Sequence, residues 1–370
     1  MKKILYVTNI SRTVNTFFIP HMNMLVENGY SVECACRLKG EHPLDQNRLN
    51  NTIIFHDVPF TRNPLDLSNI RAFRQLYKLQ KEKRYDSIHV HTPIAALYTR
   101  LLKIFFKDVN MIYTAHGYHF YKGSSKLSWI VFYNLEKWLS KYTDKLITIN
   151  LEDYENSKKF KCKELLKING VGVETDKYTI ISYEKRLKAR EGIGLSEDDF
   201  VLIMVGEHNK NKNQIQLIKA IEVLEKEYPK IKAILIGDGE LINKNRDYIK
   251  NHNIKNVKIL GFRKDVIELI NASDVLCSFS YREGLPKNII EGLSCAKVIL
   301  GTRVRGTRDL IEEGINGYCV KLQEYDETVE AIKKLYKIEK KVFEKMQQNS
   351  RKKSIEYDMK NILKILKDIY

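Results

Sequence analysis

Glu283 and Glu291 stand eight positions apart on either side of the turn Gly284-Leu285-Pro286. The turn opens a helical pattern through Lys287, Asn288 and Ile289, and proline suits a first helical turn, where its missing N–H costs little. A helix start gathers unpaired backbone N–H groups and a positive dipole end, which together bind anions. A carboxylate accepts hydrogen bonds from hydroxyls. The stretch therefore suits a diphosphate flanked by two hydroxyl-rich groups. A spacing of eight is weak alone, because exposed helix faces carry such pairs by chance. The placement of Glu283 at a strand end, just before the turn, gives it weight.

Other residues could share that chemistry. Lys212, in Asn211-Lys212-Asn213-Gln214, lies in a loop after a strand. A cation there can neutralise charge that develops on phosphate oxygens, or it can be one more solvated lysine. His116 ends a strand and precedes Gly117, with Tyr118 and His119 following. His89 and His91 are two apart in a strand and so point the same way. They show no carboxylate or thiol partner for a metal, which leaves ligand contact or cleft packing. No Asp-x-Asp occurs, so a metal-bridged diphosphate has no obvious ligand set. No metal and no other cofactor is expected. Asn9 to Asn15 reads as a polar loop, with Ser11, Arg12 and Thr13 lining its turn and His21 beyond it.

These residues need a scaffold, and the apolar pattern supplies one. Strands are expected at 4–8, 31–36, 53–58, 87–91, 110–114 and 145–149, alternating with helices at 16–28, 67–83, 95–106 and 127–140. That alternation predicts a doubly wound parallel α/β sheet. A glycine-rich turn closes this half near residue 172, and a polar, charged stretch runs from Glu174 to Asp199. The pattern restarts with strands at 200–205, 231–236, 257–260, 274–279 and 297–301. Helices are expected at 213–228, 240–252, 264–271, 286–295 and 306–313, and residues 325–370 read as mainly helical. The chain is thus expected to form two Rossmann-like α/β domains, 1–172 and 173–354, with a ligand cleft at the carboxyl ends of their strands.

The chain has 370 residues, 43% hydrophobic and 29% charged, with a net charge of +17. Residues 1–172 hold 26 Lys and Arg against 15 Asp and Glu, and the remainder holds 37 against 31, so the excess lies mostly in the first half. Nucleic acid, anionic lipid and phosphorylated substrates all suit such a balance. A nucleic-acid binder would need a basic stripe on an open face, whereas the polar motifs gather at strand ends; no nucleic-acid partner is expected. Arg71, Arg74, Lys78, Lys81, Lys83 and Arg84 crowd one helix. Trp129 and Trp138 share another with Lys126, Lys137 and Lys141. Basic, aromatic helices suit a membrane interface, and they equally suit core aromatics with solvated lysines. Six cysteines without a C-x-x-C pair point to a reduced, intracellular protein. Neither a secretory signal nor an apolar run long enough to span a membrane is visible.

The region Arg282 to Asp309 resembles the signature of the retaining family 4 glycosyltransferases, of GT-B architecture. Within that group it is similar to bacterial enzymes that assemble capsule, exopolysaccharide or O-antigen. The resemblance extends through Thr8 to His21, Ile88 to Pro93, Tyr113 to Tyr121, Asn169 to Val171, Asn211 to Gln214, Gly237 to Gly239 and Leu260 to Arg263. It implies an acceptor-binding domain 1–172, a donor-binding domain 173–354, and a helix 355–370 that crosses back to the first domain and couples the halves. It implies transfer of a hexose or N-acetylhexosamine from a nucleotide sugar, UDP-linked, with retention of configuration. The implied acceptor is an undecaprenyl-diphosphate-linked saccharide at the cytoplasmic face of the membrane, with peripheral contact to anionic lipid.

By the same resemblance, Glu291 holds the ribose and Glu283 a hydroxyl of the transferred sugar. The amides of Gly284, Leu285, Lys287 and Asn288 approach the diphosphate or sugar. Phe262 and Arg263 hold the base, Lys212 neutralises the leaving diphosphate, and His116 touches the donor sugar. His116, Glu283 and Lys212 are the catalytic candidates. Ser11, Arg12, Thr13, His91, Tyr118 and His119 are the acceptor candidates. Two departures stand out. Relatives commonly carry arginine after the strand glycine, but Gly206 is followed by Glu207, and Arg305 could supply the missing charge. The first loop also lacks the Gly-Gly pair of many relatives. A nucleotide-sugar epimerase or hydrolase on this fold, or a non-catalytic scaffold, would share most of these features.

Overall fold

The first strand, β1 (Lys3–Ile10), buries Ile4, Leu5, Tyr6 and Val7 in succession, so both of its faces are covered. Strands apolar on both faces belong to parallel sheets flanked by helices. The computed structural model describes residues 1–39, 43–61 and 63–370. There, β1 is followed by β2 (Ser31–Arg37), β3 (Ile54–Asp57), β4 (Ser87–His91), β5 (Asn110–Ala115), β6 (Lys145–Thr148) and β7 (Glu164–Lys167). They form one parallel sheet in the order β3-β2-β1-β4-β5-β6-β7. A second parallel sheet contains β8 (Phe200–Val205), β9 (Ile231–Ile236), β10 (Val257–Gly261), β11 (Val275–Ser278), β12 (Val298–Thr302) and β13 (Gly317–Val320), in the order β10-β9-β8-β11-β12-β13.

Each sheet has its own core. Along β8, Leu202 and Met204 pack with Leu217, Ile221 and Phe279, while Val201 and Ile203 pack with Ile236, Ile290 and Leu293 on the other face. The chain divides into two compact units, Met1–Gly172 with Lys360–Tyr370, and Val173–Met359. The helix Met359–Ile369 thus returns the chain to the first unit. In each sheet the strand order reverses beside the first strand, between β1 and β4 and between β8 and β11. Open α/β sheets bind ligands outside the carboxyl ends of strands at such a reversal. Asn9 and His91 lie at the first reversal, Gly206 and Ser280 at the second.

The structure corrects several element assignments. The expected polar loop from Asn9 to Asn15 is largely regular: β1 continues to Ile10, and a helical turn starts at Ser11. Its asparagines bind neighbouring backbone. Buried Asn9 accepts from the Thr92 hydroxyl at 2.8 Å and the Ala95 amide at 3.1 Å, fixing the start of helix Pro93–Arg100. Asn15 donates to the Pro43 carbonyl at 2.8 Å and accepts from the Asp45 amide at 3.0 Å. Pro286 precedes the helix Lys287–Ser294 as its cap, with extended backbone, rather than sitting in the first turn. The expected helix 306–313 shortens to Thr307–Leu310. Helices Leu151–Ser157 and Tyr183–Glu191 and the strand β13 were not anticipated, because each is short and the second is mostly charged.

Candidate active site

In the second unit, glycines let two pairs of backbone segments close together. Gly237 has φ +129°, and a Cβ there would lie 2.1 Å from the Gly206 carbonyl oxygen. Gly306, at φ +75°, lies against the turn after Glu283, where a Cβ would meet the Gly284 carbonyl oxygen at 2.2 Å. Side chains at these two positions would clash with backbone and favour a different φ. Asn288 Nδ2 donates to the Val205 carbonyl at 2.9 Å, which ties the start of helix Lys287–Ser294 to the end of β8 beside Gly206. The first N–H groups of that helix have no partner within it. Gly206, Gly284, Leu285, Lys287 and Asn288 are therefore one neighbourhood, as the sequence suggested.

Lys212 and Glu283 meet there. Lys212 Nζ donates to Glu283 Oε1 at 2.6 Å, with both side chains mostly buried. Two amide side chains shape the Lys212 loop: Asn209 Oδ1 accepts from the Lys212 amide at 3.0 Å, and Asn211 Nδ2 donates to the Arg282 carbonyl at 3.1 Å. Arg305 is buried, and its Nε donates to the Glu283 carbonyl at 3.0 Å. That contact places a guanidinium against the turn, while Glu207 is exposed. Glu291 has different partners. It is 8% exposed, 3.6 Å from Lys287 Nζ, and hydrogen-bonded by the Tyr178 hydroxyl. Burial pushes its carboxyl above the usual range, opposed by Lys287 and Tyr178. The two glutamates thus occupy separate environments and do not form an acid/base couple. Phe262 is 68% exposed, and Arg263 forms a two-point contact with Asp265 at 2.8 and 2.5 Å.

The first unit gathers imidazoles instead of charges. His91 Nδ1 and His116 Nε2 are 3.1 Å apart. His89 is buried, with Nε2 on the Thr114 hydroxyl at 2.7 Å and Nδ1 on the Tyr370 hydroxyl, which donates to Tyr6 at 2.7 Å. Phe18 stacks on His91 with ring centroids 4.0 Å apart. His21 Nε2 bonds the Val171 carbonyl at 2.8 Å. Burial lowers all four histidines, His21 and His116 to about 4 and the others well below the usual value, so the cluster is neutral at pH 7. His91 Nε2 is buried without a partner. An orphaned buried N–H is rarer than an orphaned acceptor. We therefore assign the His91 proton to Nδ1, donating to His116 Nε2. His116 then carries its proton on Nδ1, as a hydrogen-bond donor.

The acceptor candidates separate. Tyr118 is corrected to a core residue: it is 3% exposed, its hydroxyl bonds Ser157 at 2.8 Å, and its ring stacks on Phe120 at 4.6 Å. His91 is likewise buried and acts on His116. His119 is half-buried against Phe132, Ser11 is buried, Thr13 is half-buried, and Arg12 is exposed. Sequence reasoning missed Tyr178, which lies in a stretch that reads as polar linker, and Tyr6 and Tyr370, which stand at opposite ends of the numbering. Among the described residues, no cluster of His, Cys, Asp or Glu has a metal-holding arrangement. The six thiols are unpaired, and all but Cys162 are buried. No helix among the described residues is long and apolar enough to cross a membrane.

Comparisons with known proteins identify the family. The family "Glycosyl transferases group 1" matches residues 185–353, and "Glycosyl transferase 4-like" matches residues 3–150. The chain is 32% identical to "Putative glycosyltransferase EpsD" of Bacillus subtilis (strain 168), over 100% of this chain and 96% of that protein. It is 26% identical to the "UDP-Gal:alpha-D-GlcNAc-diphosphoundecaprenol alpha-1,3-galactosyltransferase" of Escherichia coli, over 95% of this chain and 92% of that one. Anabaena HepE, solved in complex with UDP-glucose, superposes with a TM-score of 0.80 at 19% identity, covering 100% of this chain and 99% of its own. That likeness concerns the fold alone. The sequence match runs the full length of the chain, and each half matches a glycosyltransferase family: the chain belongs to the glycosyltransferases and has the GT-B fold.

Proposed function

We propose that this enzyme moves a hexose or N-acetylhexosamine from a UDP-sugar to a lipid-diphosphate-linked saccharide, with retention, in the synthesis of a bacterial surface polysaccharide. The observation that carries the reading is the Lys212–Glu283 pair beside the amides of Gly284, Leu285, Lys287 and Asn288. Lys212 is a cation held where a leaving diphosphate would gain charge, and Glu283 is a carboxylate held where a sugar hydroxyl would donate. Glu291, with Tyr178 behind it, suits the ribose. Arg305 stands in for the cation missing at Glu207. The donor and the lipid-linked acceptor are supported by the names of the Escherichia coli relative and of a Campylobacter jejuni relative, a transferase acting on a diphosphate-undecaprenol glycan that is 32% identical over 34% of this chain.

The reaction follows from these groups. The bond from the anomeric carbon to the diphosphate breaks while the acceptor oxygen bonds to the same face. The acceptor proton passes to a departing phosphate oxygen, so no second carboxylate is needed as a base, while Lys212 offsets the charge left on the diphosphate. His116 offers its Nδ1–H to substrate as a neutral donor. A panel of nucleotide sugars with a lipid-linked acceptor, read by product mass and anomeric analysis, tests this. Retained configuration on a UDP-sugar is expected. An inverted product, or turnover that is mainly acceptor-independent hydrolysis, would overturn it.

A peripheral membrane location at the cytoplasmic face goes with this acceptor. Between residues 126 and 142, Leu127, Ile130, Val131 and Trp138 are exposed beside Lys137 and Lys141, whereas Trp129 packs on Phe120. The two tryptophans therefore separate, one to the interior and one to the surface. Flotation with anionic liposomes should recover the chain in the lipid fraction. Its absence there would count against membrane contact.

A further inference from the structure

His116 is one end of a longer run of neutral groups in the first unit. Its Nε2 takes the His91 Nδ1–H at 3.1 Å. The His91 ring packs on Phe18, with centroids 4.0 Å apart, and on His89, with centroids 4.1 Å apart. His89 in turn meets two hydroxyls, that of Thr114 on β5 at Nε2 and that of Tyr370 at Nδ1. A neutral imidazole carries one N–H, and its neighbours decide which nitrogen holds it. Here the decision can be read. The Tyr370 hydroxyl donates its one hydrogen to the Tyr6 hydroxyl at 2.7 Å. Its oxygen therefore accepts from His89, which places the His89 proton on Nδ1. His89 Nε2 is left to accept from the Thr114 hydroxyl at 2.7 Å. The hydrogen bonds thus run in one direction, from Thr114 through His89 and Tyr370 to Tyr6.

The backbone under Tyr370 is held in place. Tyr370 follows helix Met359–Ile369, which buries Ile362, Leu366 and Ile369. Lys145 Nζ, at the start of β6, donates to the Ile369 carbonyl at 2.8 Å, and Lys2 Nζ donates to the Tyr370 carbonyl at 3.3 Å. Both are carbonyls that a helix end leaves without an internal partner. The Tyr370 ring lies beside His89, with centroids 5.6 Å apart, and stacks on Tyr6 at 6.5 Å. Tyr6 stacks on His91 at 5.3 Å. One hydroxyl thereby ties together the two rings, His89 and Tyr6, that pack on His91.

We infer that Tyr370 is a positioning residue: its hydroxyl fixes His89 as the Nδ1–H tautomer and, through the packed rings of His89 and His91, sets how His116 presents its own Nδ1–H. Without that hydroxyl, the His89 Nδ1–H would be buried with no acceptor, which is costly. The ring escapes the cost by moving its proton to Nε2 and donating to Thr114. Its dipole then reverses against His91, the group that decides the tautomer of His116. The tautomer of His89 stands on this geometry alone. The effect on turnover rests on the role proposed above for His116.

NMR of the imidazole nitrogens tests the first half, on the full chain with isotope-labelled histidine and signals assigned by single histidine substitutions. Tyr370→Phe should move the His89 proton from Nδ1 to Nε2 and give His116 a second tautomer. Tyr6→Phe frees the Tyr370 hydrogen to donate to His89, and should move the same proton while the ring packing stays. Turnover is read with the donor and acceptor that the panel above selects. Tyr370→Phe should lower kcat about tenfold and leave KM for the nucleotide sugar unchanged. Tyr118→Phe removes another buried tyrosine hydroxyl from the same unit, and should change neither kcat nor the His89 and His116 signals. A His89 proton that stays on Nδ1 in both the Tyr370 and Tyr6 variants would overturn the tautomer assignment. A His116 signal that does not respond when His89 switches would overturn the coupling, as would a kcat loss no larger than that of Tyr118→Phe. The nitrogen signals need no substrate. Unchanged kcat in His116→Gln would therefore count against the proposed role of His116, separately from the tautomer of His89.

Discussion

The two reversal points of this chain are built from opposite materials. In the second unit, groups with charge and bare backbone surround the end of β8: Lys212 on Glu283, Arg305 on the turn, and amides at a helix start. In the first unit, neutral rings fill the end of β4: four histidines packed with Phe18, Tyr6 and Tyr370. Charge is kept where a diphosphate would need it, and burial removes charge where hydrogen bonding and shape suffice. A chain with a net charge of +17 thus keeps a cluster of four histidines uncharged.

Substitutions can break this contrast. Lys212→Ala should have the largest effect, lowering kcat by about a hundredfold to a thousandfold, since it removes a donor aimed at developing charge. A loss below tenfold in steady-state turnover would show that charge at β8 is dispensable. Arg305→Ala should come next, about tenfold in turnover, well beyond Arg308→Ala, because only Arg305 is buried against Glu283. Equal, small effects would remove Arg305 from the site.

The histidine side is read through pH. The folded pKa of His21 is about 4, against about 6.5 in an unfolded chain. As pH falls, the unfolded chain takes up the proton first. Stability is therefore full above about pH 6.5 and declines toward pH 4, by about 3 kcal/mol for this one group. His21→Gln, which keeps a donor for the Val171 carbonyl, should flatten the fall of melting temperature between pH 6.5 and 4.5. An unchanged slope would place the acid-sensitive group elsewhere. Tyr118→Phe should do least. It removes one buried hydrogen bond to Ser157, worth about 1 kcal/mol by thermal denaturation, and should leave the acceptor KM unchanged. A raised acceptor KM would return Tyr118 to the substrate.

The site of the second unit was largely legible because its elements follow one another along the chain. A glycine follows β8, Glu283 follows β11, and Glu291 lies in the short helix after it. What escaped came from outside that run. Tyr178 reaches Glu291 from a stretch with no apolar period, and Gln214 orients the Glu207 carbonyl through a side chain that reads as a helix surface. In the first unit, less of the site could be read. His89 and His91 plainly share a face, yet their partners come from β1, from β5 and the residue after it, and from Tyr370 just beyond the last helix. Tyr370 and Tyr6 are joined by a hydrogen bond across 364 positions. Tyr118 looked like a loop aromatic near a substrate because its neighbours His116 and His119 are polar, while its cover, Ser157 and Phe160, lies in a helix that was not anticipated and the turn after it.

By itself, the sequence determined two parallel α/β sheets and the segments that end at their reversal points. Periods of two and 3.6 residues, glycines and strand ends are local properties, written in neighbouring residues. Only the tertiary structure decided which side chains are charged, which are neutral, and which merely pack. Those outcomes depend on burial and on partners supplied by distant strands. The same imidazole takes up a proton near pH 6.5 in water and stays neutral well below that pH between Phe18, His91 and the end of β5.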